Sequence, residues 1–114
     1  MWEVFSWGSI MSCNAKIIND ELVVEVNENI DTSSVDRIGE EIIAIVDEHQ
    51  KDNLTLDVKN MEYISSAGLR LLIRIKKGGV SLKIINSSKD VYDIFHITGF
   101  TDMFDIEKPD YGTE

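Results

Sequence analysis

The chain has 114 residues, of which 43% are hydrophobic, and this is enough for one domain with a modest core and argues against a disordered chain. Its 21 acidic residues outnumber its 11 basic residues, so that the formal net charge is -10. Because this charge repels phosphate backbones and anionic lipid heads, we expect neither nucleic acid nor a membrane surface as a partner. A protein with a basic patch fits the charge better, although a purely solubilising function fits the composition equally well.

The residue types that carry metal and redox chemistry are scarce. Cys13 is the single cysteine, so an internal disulfide is impossible, and this favours a reducing compartment such as the cytoplasm. His49 and His96 have no metal-ligand spacing with Cys13 or with an acidic pair. Neither a Gly-rich nucleotide loop nor a G-x-S-x-G motif is present. We therefore expect a protein that is not an enzyme, with no cofactor, no metal and no catalytic residue.

Both ends of the chain differ from its middle. Residues 1–12 are apolar and aromatic but lack the basic start of a secretory signal. We interpret them as an N-terminal extension to a domain at residues 13–108, and residues 109–114 as a loose C-terminal tail. The extension is either the product of an upstream start codon or a partner-binding tail that carries two tryptophans.

The first half of the chain predicts a hairpin and a helix. Short β-rich runs at residues 15–18 and 22–26 flank a turn at Asn19-Asp20. Residues 31–34 are all of the types that favour the N-cap position of a helix. Apolar residues then recur at helical spacing as far as His49.

The second half alternates strands and helices. The pattern predicts strands at residues 54–58, 80–84 and 104–106, and helices at 67–77 and between Ser87-Ser88 and Gly99. The strand at 54–58 should have one apolar and one polar face. The whole order predicts a single α/β domain with a mixed four- to five-stranded sheet and packed helices. In such folds, binding sites form where strand ends meet helix starts.

Ser65 and Ser66 lie at one of these junctions. On physical grounds alone, one of the two hydroxyls should be a helix cap, as expected also for Ser33-Ser34 and Ser87-Ser88. The small residues that follow, Ala67 and Gly68, would let the active site of a partner approach the Ser66 hydroxyl closely.

A basic row continues along the same predicted helix. Arg70, Arg74 and Lys77 are spaced i, i+4 and i+7, which puts them on one face. This row is either a partner-binding surface or a solvated face that offsets the helix dipole, and the sequence favours neither.

Four ordered motifs resemble those of anti-sigma factor antagonists, the STAS-domain family. Residues 64–72, which read ISSAGLRLL, are similar to the family signature. Ile30-Asp31 resembles the Leu/Ile-Asp pair that precedes the first long helix. Residues 78–82, GGVSL, and residues 94–100, IFHITGF, are similar to two later segments of the family. The likeness covers residues 15–106.

The resemblance implies a function and a set of site residues. The phosphorylated serine of the family lies two residues before the Gly of the Gly-Leu pair, which is Ser66 here. The unmodified domain would bind an anti-sigma factor serine kinase and so free a sigma factor; phosphorylation would end binding, and a metal-dependent serine phosphatase would reset it. Asp31 matches an acidic residue near the nucleotide site of the kinase. The implied partner-binding residues are Asp31, Thr32, Ser65, Ala67, Gly68, Arg70 and Arg74.

The chain departs from the family pattern at three places. Ser65 stands where sporulation-type members carry Asp, and Glu28 replaces a Gly. The helix predicted at residues 67–77 is shorter than in those members by roughly one turn or more. These departures leave open an alternative, a STAS-like interaction or sensory module of a regulatory or transport complex that is never phosphorylated.

Overall fold

The computed structural model describes residues 13–109. The predicted extension at residues 1–12, and the predicted tail beyond Pro109, lie outside the described residues. The elements are, in chain order, β1 Cys13–Ile18, β2 Glu21–Val26, α1 Val35–His49, β3 Asn53–Asp57, α2 Ser66–Lys77, β4 Ser81–Ile85, α3 Lys89–Ile97, α4 Phe100–Met103 and β5 Asp105–Ile106.

The five strands form one sheet in the order β1-β2-β3-β4-β5. β1 runs antiparallel to β2, as the predicted hairpin requires, and β2 to β5 are parallel to one another. This confirms the predicted single α/β domain with a mixed sheet. Because β2 to β5 are parallel, their carboxyl ends share one edge of the sheet, and the connections to α1, α2 and α3 all start there.

The core lies between one face of this sheet and the helices. The register aligns Leu22, Leu54 and Leu82 across three neighbouring strands, and all three are buried. The apolar sides of α1 and α2 close the core, with Ile42 and Leu71 both fully buried. Each such side chain contributes roughly 1.5–3 kcal/mol when it leaves water. No helix among residues 13–109 is long and apolar enough to span a bilayer.

The two faces of β3 differ as predicted, but the polar face is buried as well as the apolar one. Thr55 and Asp57 are only 9% and 7% exposed, so that both faces of this strand are buried. The physical reason is the position of β3 in the middle of the sheet, where β2 and β4 flank it on both sides. The alternation along the chain indicates the direction of each side chain but not the location of the strand in the sheet.

The short helix α4 was not predicted. It follows Gly99, whose φ of 83° is a conformation that favours glycine. Its first residue, Phe100, is buried and stacks on Phe104 with 5.3 Å between ring centroids. Four residues are too few to show a helical period in the sequence, and the aromatic contact is made only after folding.

Candidate functional site

Two strand-to-helix junctions lie side by side at the carboxyl edge of the sheet. Ile30, after β2, and Ile64, after β3, form a parallel β-bridge. Next to this bridge the backbone N–H of Ser65 donates to the carbonyl oxygen of Ile30 at 2.8 Å. The bridge therefore places Asp31, at the start of the α1 junction, beside Ser65 at the start of α2.

Asp31 caps the first turn that leads into α1. Its Oδ1 accepts hydrogen bonds from the Ser33 hydroxyl at 2.7 Å, the Ser33 N–H at 2.9 Å and the Ser34 N–H at 3.1 Å. The Ser34 hydroxyl accepts in return from the Asp31 N–H at 3.1 Å, which is the reciprocal pattern of a capping box. These bonds, led by the Ser33 hydroxyl, lower the pKa of the Asp31 carboxyl. Asp31 is therefore a carboxylate at neutral pH, and its charge offsets the positive end of α1.

Ser65 and Ser66 have different positions at the start of α2. Ser65 is the N-cap residue, and its hydroxyl oxygen accepts a hydrogen bond from the Gly68 N–H at 3.2 Å. Ser66 is the first residue of the helix and is exposed to solvent. The expected cap is thus Ser65, and Ser66 takes no part in capping.

All charged residues of α2 are basic. Its first turn contains no acidic residue, whereas Arg74, Lys76 and Lys77 lie in its last turn. The basic residues offset the negative end of the helix dipole, but its positive end is capped only by the neutral hydroxyl of Ser65. A negative group at Ser66 would gain roughly 0.3–1 kcal/mol from this helix end.

Gly68 is buried because α2 packs directly on the bridge. A Cβ atom at this position would lie 2.6 Å from Cγ1 of Ile64 and 2.9 Å from Cγ2 of Ile30. Only a glycine allows the first turn of α2 to come this close. The structure gives Gly68 a packing function, and its part in partner binding stays a prediction.

The other implied partner-binding residues lie at the two junctions and along α2. Thr32 is exposed at the first junction, and Ala67 is half-buried at the second. Arg70 and Arg74 are exposed on α2, about one and two turns beyond Ser66, and Arg74 is therefore about 12 Å away along the helix axis. The Arg74 Nη2 lies 3.6 Å from the Cβ position of Gly39, so that this side chain reaches across to α1. We call the junction residues Asp31, Thr32, Ser65, Ser66 and Ala67, together with Arg70 and Arg74, the junction surface.

Asn29 positions the segment that leads to Ser66, and sequence reasoning missed it. Its Oδ1 accepts hydrogen bonds from the N–H groups of Glu62 at 2.7 Å and Tyr63 at 3.0 Å. Its carbonyl oxygen accepts from the Ser34 hydroxyl at 2.9 Å. Tyr63 itself is 51% exposed, which adds an aromatic ring next to the junction surface. Asn is common in turns, so the sequence does not show that this one accepts hydrogen bonds from a distant segment.

The surroundings of Cys13 disfavour the reactive thiolate form of its side chain. The side chain is buried at the start of β1, and its backbone N–H donates to Oε1 of Glu41 at 3.0 Å. Burial, with the nearby charge of Glu41 as a second cause, raises the pKa of the thiol to about 12. The thiol is therefore protonated at neutral pH and a poor nucleophile or metal ligand. Among residues 13–109, no group of three or more His, Cys, Asp or Glu side chains is placed to hold a metal ion.

Ser65→Ala should cost about 1 kcal/mol in the free energy of unfolding, because the Gly68 N–H loses its cap. Ser66→Ala is the matched control, since it removes a hydroxyl from the next residue without removing a cap, and we expect a change within about 0.5 kcal/mol. Urea denaturation with an unchanged m value measures both. A larger loss for Ser66→Ala than for Ser65→Ala would contradict this assignment of the cap.

Solved structures share this arrangement of a five-stranded mixed sheet and packed helices. An anti-sigma factor antagonist from Mycobacterium paratuberculosis superposes with a TM-score of 0.74 at 19% identity, covering 85% of each chain. The anti-sigma factor antagonist SpoIIAA in its unphosphorylated form superposes with a TM-score of 0.64 at 16% identity, covering 84% of this chain and 88% of that one. The class of protein defined by the fold is therefore the SpoIIAA-like α/β domain.

Sequence comparison gives the family. The family model of the STAS domain matches residues 12–109. The anti-sigma-B factor antagonist of Bacillus subtilis is 30% identical over an alignment of 108 residues, and the alignment covers 90% of this chain and 97% of that protein. The chain belongs to the STAS domain family, and the resemblance drawn from its motifs is confirmed.

Proposed function

We propose that this protein is a cytoplasmic anti-sigma factor antagonist that acts by binding and not by catalysis. In its unmodified form the domain binds an anti-sigma factor serine kinase and so frees a sigma factor. The relative from Bacillus subtilis supports this proposal, because the likeness extends over 97% of a protein that is itself an anti-sigma-B factor antagonist.

Ser66 is the phosphorylation site in this proposal. The main support for this assignment is the difference between the two serines at the start of α2. Ser65 makes the cap, and Ser66 remains exposed. A kinase needs an exposed hydroxyl, because the hydroxyl must enter the active site of the kinase while the substrate domain stays folded. The helix end has no acidic side chain in its first turn, so it accommodates the added phosphate within the domain.

The partner binds the junction surface. Two features favour this surface as an interface: the exposed arginines Arg70 and Arg74 on it, and the exposed ring of Tyr63 next to it. Arginine and tyrosine are the residue types that most often anchor protein interfaces. Asp31 and Thr32 form the far side of this surface, held there by the bridge between Ile30 and Ile64.

A phosphate on Ser66 ends binding through its charge and its size. Phosphorylation adds nearly two negative charges at the exposed start of α2. Within the free domain the phosphate stays hydrated. At a closely packed interface it loses water, and an unpaired charge there costs several kcal/mol. A metal-dependent serine phosphatase restores the binding form, and the exposure of Ser66 gives that enzyme the same access as the kinase.

Incubation with a purified anti-sigma factor serine kinase and ATP tests the proposal. We expect intact-mass spectrometry to show one added phosphate on the wild-type domain and on Ser65→Ala, and none on Ser66→Ala. Binding of the kinase without any added phosphate would instead support the alternative, a STAS-like interaction module that is never phosphorylated. A phosphate that persists in Ser66→Ala would place the site elsewhere.

A further inference from the structure

An apolar groove lies between the C-terminal halves of α1 and α2. Its volume is about 230 Å³, which is below the roughly 300–1,000 Å³ of most small-molecule sites. The apolar part of its lining consists of Ile42, Ile43, Val46, Ile75 and Val80. Ile43 is 45% exposed, so water reaches this apolar surface in the described part of the chain. The groove therefore fits a side chain better than a whole small molecule.

Two charged side chains of opposite sign line the same groove. They are Arg74 and Asp47, and both are exposed. Arg74 can pair with a carboxylate, and the Asp47 carboxylate can accept a hydrogen bond from the ring N–H of a tryptophan. Arg74 also belongs to the junction surface, so an occupant of the groove that contacts Arg74 covers part of that surface.

The chain itself contains a segment of matching chemistry. Residues 1–12, which precede the described residues, read MWEVFSWGSIMS. They include both tryptophans of the chain, Trp2 and Trp7, and a single charged side chain, that of Glu3. Apolar and aromatic side chains gain free energy when they leave water, so this segment favours contact with an apolar surface.

The start of β1 brings this segment close to the groove. The backbone N–H of Cys13 donates to Oε1 of Glu41 at 3.0 Å, which holds the residue next to the segment against α1. Glu41 directly precedes Ile42 in the wall of the groove. The 15 residues of α1 are about 22 Å long, whereas twelve extended residues span up to about 40 Å. Residues 1–12 are therefore long enough to pass around α1 and reach the groove.

We propose that residues 1–12 bind in the groove between α1 and α2 of the same molecule, with a tryptophan ring against its apolar side chains and Glu3 beside Arg74. Attachment to the same chain favours this occupant over a second copy, because it gives the segment a local concentration on the order of millimolar. The bound segment covers Arg74 and so competes with the partner of the junction surface. The binding of the segment does not depend on the proposed function, whereas the competition rests on it.

Tryptophan fluorescence of the full-length protein tests the binding of the segment, because both tryptophans of the chain belong to it. We expect emission at shorter wavelength than that of free tryptophan, with protection from acrylamide quenching, at every protein concentration. Ile43→Glu places a charge in the groove and should shift the emission to longer wavelength and increase quenching. Ile97→Glu is the matched control, since Ile97 is 80% exposed on α3 and outside the groove, and it should change neither. Circular dichroism checks that both variants are folded.

Two results would overturn the binding of the segment. The first is wild-type emission and quenching like those of free tryptophan, or an equal response to Ile43→Glu and Ile97→Glu. The second is a shift to shorter wavelength that grows with protein concentration, together with a dimer in light scattering. In that case the occupant of the groove would be the segment of a second copy.

Binding of a purified anti-sigma factor serine kinase tests the competition separately. A segment bound about nine-tenths of the time leaves about a tenth of the molecules open, so that its release raises the apparent affinity about tenfold. We therefore expect the double variant Trp2→Ala with Trp7→Ala to bind the kinase about tenfold more tightly than wild type in calorimetry. Equal affinities would overturn the competition. Absence of binding by both proteins would contradict the proposed function instead, and the fluorescence of Ile43→Glu would still decide whether the segment binds.

Discussion

Ser66→Asp should lower the affinity of the domain for its kinase partner by about 100-fold or more, while the fold remains intact. The aspartate places a permanent negative charge where the partner packs, and burying that charge without a counter-ion costs several kcal/mol. Within the domain the same charge lies at the start of α2, whose first turn contains no acidic residue. We therefore expect the melting temperature to stay the same or to rise slightly. Isothermal titration calorimetry and thermal unfolding by circular dichroism measure the two effects.

Ser66→Asn is the matched control for size, because its side chain has the shape of aspartate without the charge. If charge ends binding, Ser66→Asn should keep most of the affinity that Ser66→Asp loses. Equal losses in both variants would mean that size alone disrupts the interface. Unfolding of the domain by Ser66→Asp would show that the position is structural, and the proposed switch would then be wrong.

Gly68→Ala should destabilise the domain by about 2 kcal/mol, although alanine is the better helix former. The added Cβ would approach Cγ1 of Ile64 to 2.6 Å, and Cγ2 and Cβ of Ile30 to 2.9 and 3.0 Å. Both isoleucines belong to the bridge that joins the two junctions, so the helix must move away from them. Overpacking of this kind costs roughly 1–3 kcal/mol or more, which exceeds the helix-propensity gain of about 1 kcal/mol. Urea denaturation measures the net change.

Gly39→Ala provides the comparison, since Gly39 is also a buried glycine inside a helix. Its added Cβ would approach only Cδ1 of Leu71 closely, at 2.9 Å, which is the far end of a flexible side chain that can rotate. We expect the change in unfolding free energy to be within about 1 kcal/mol of zero. If both variants were equally stable, the close packing of α2 on the bridge would not be a constraint on the fold.

The location of the site was accessible from the sequence, but its internal arrangement was not. The motif at residues 64–72 identified the junction, and the turn between strand and helix followed from local patterning. Which serine makes the cap depends on the backbone angles of Ser65, φ -88° and ψ 173°, in a segment whose Ser65 N–H donates to the carbonyl oxygen of Ile30. Ile30 is 35 residues earlier in the chain, and local sequence patterns are too short to reveal a contact across that separation. For the same reason the tie from Asn29 to Tyr63 was missed.

The amino-acid sequence by itself determined the α/β class, the nearly complete order of elements, the STAS family and the serine at the start of α2, because hydrophobic period, caps and motifs are local properties. Only the tertiary structure decided which residues become neighbours: it buried the polar face of β3 and put Gly68 against Ile30 and Ile64. These outcomes depend on contacts between residues far apart in the chain, which form only when the strands pair and the helices pack on them.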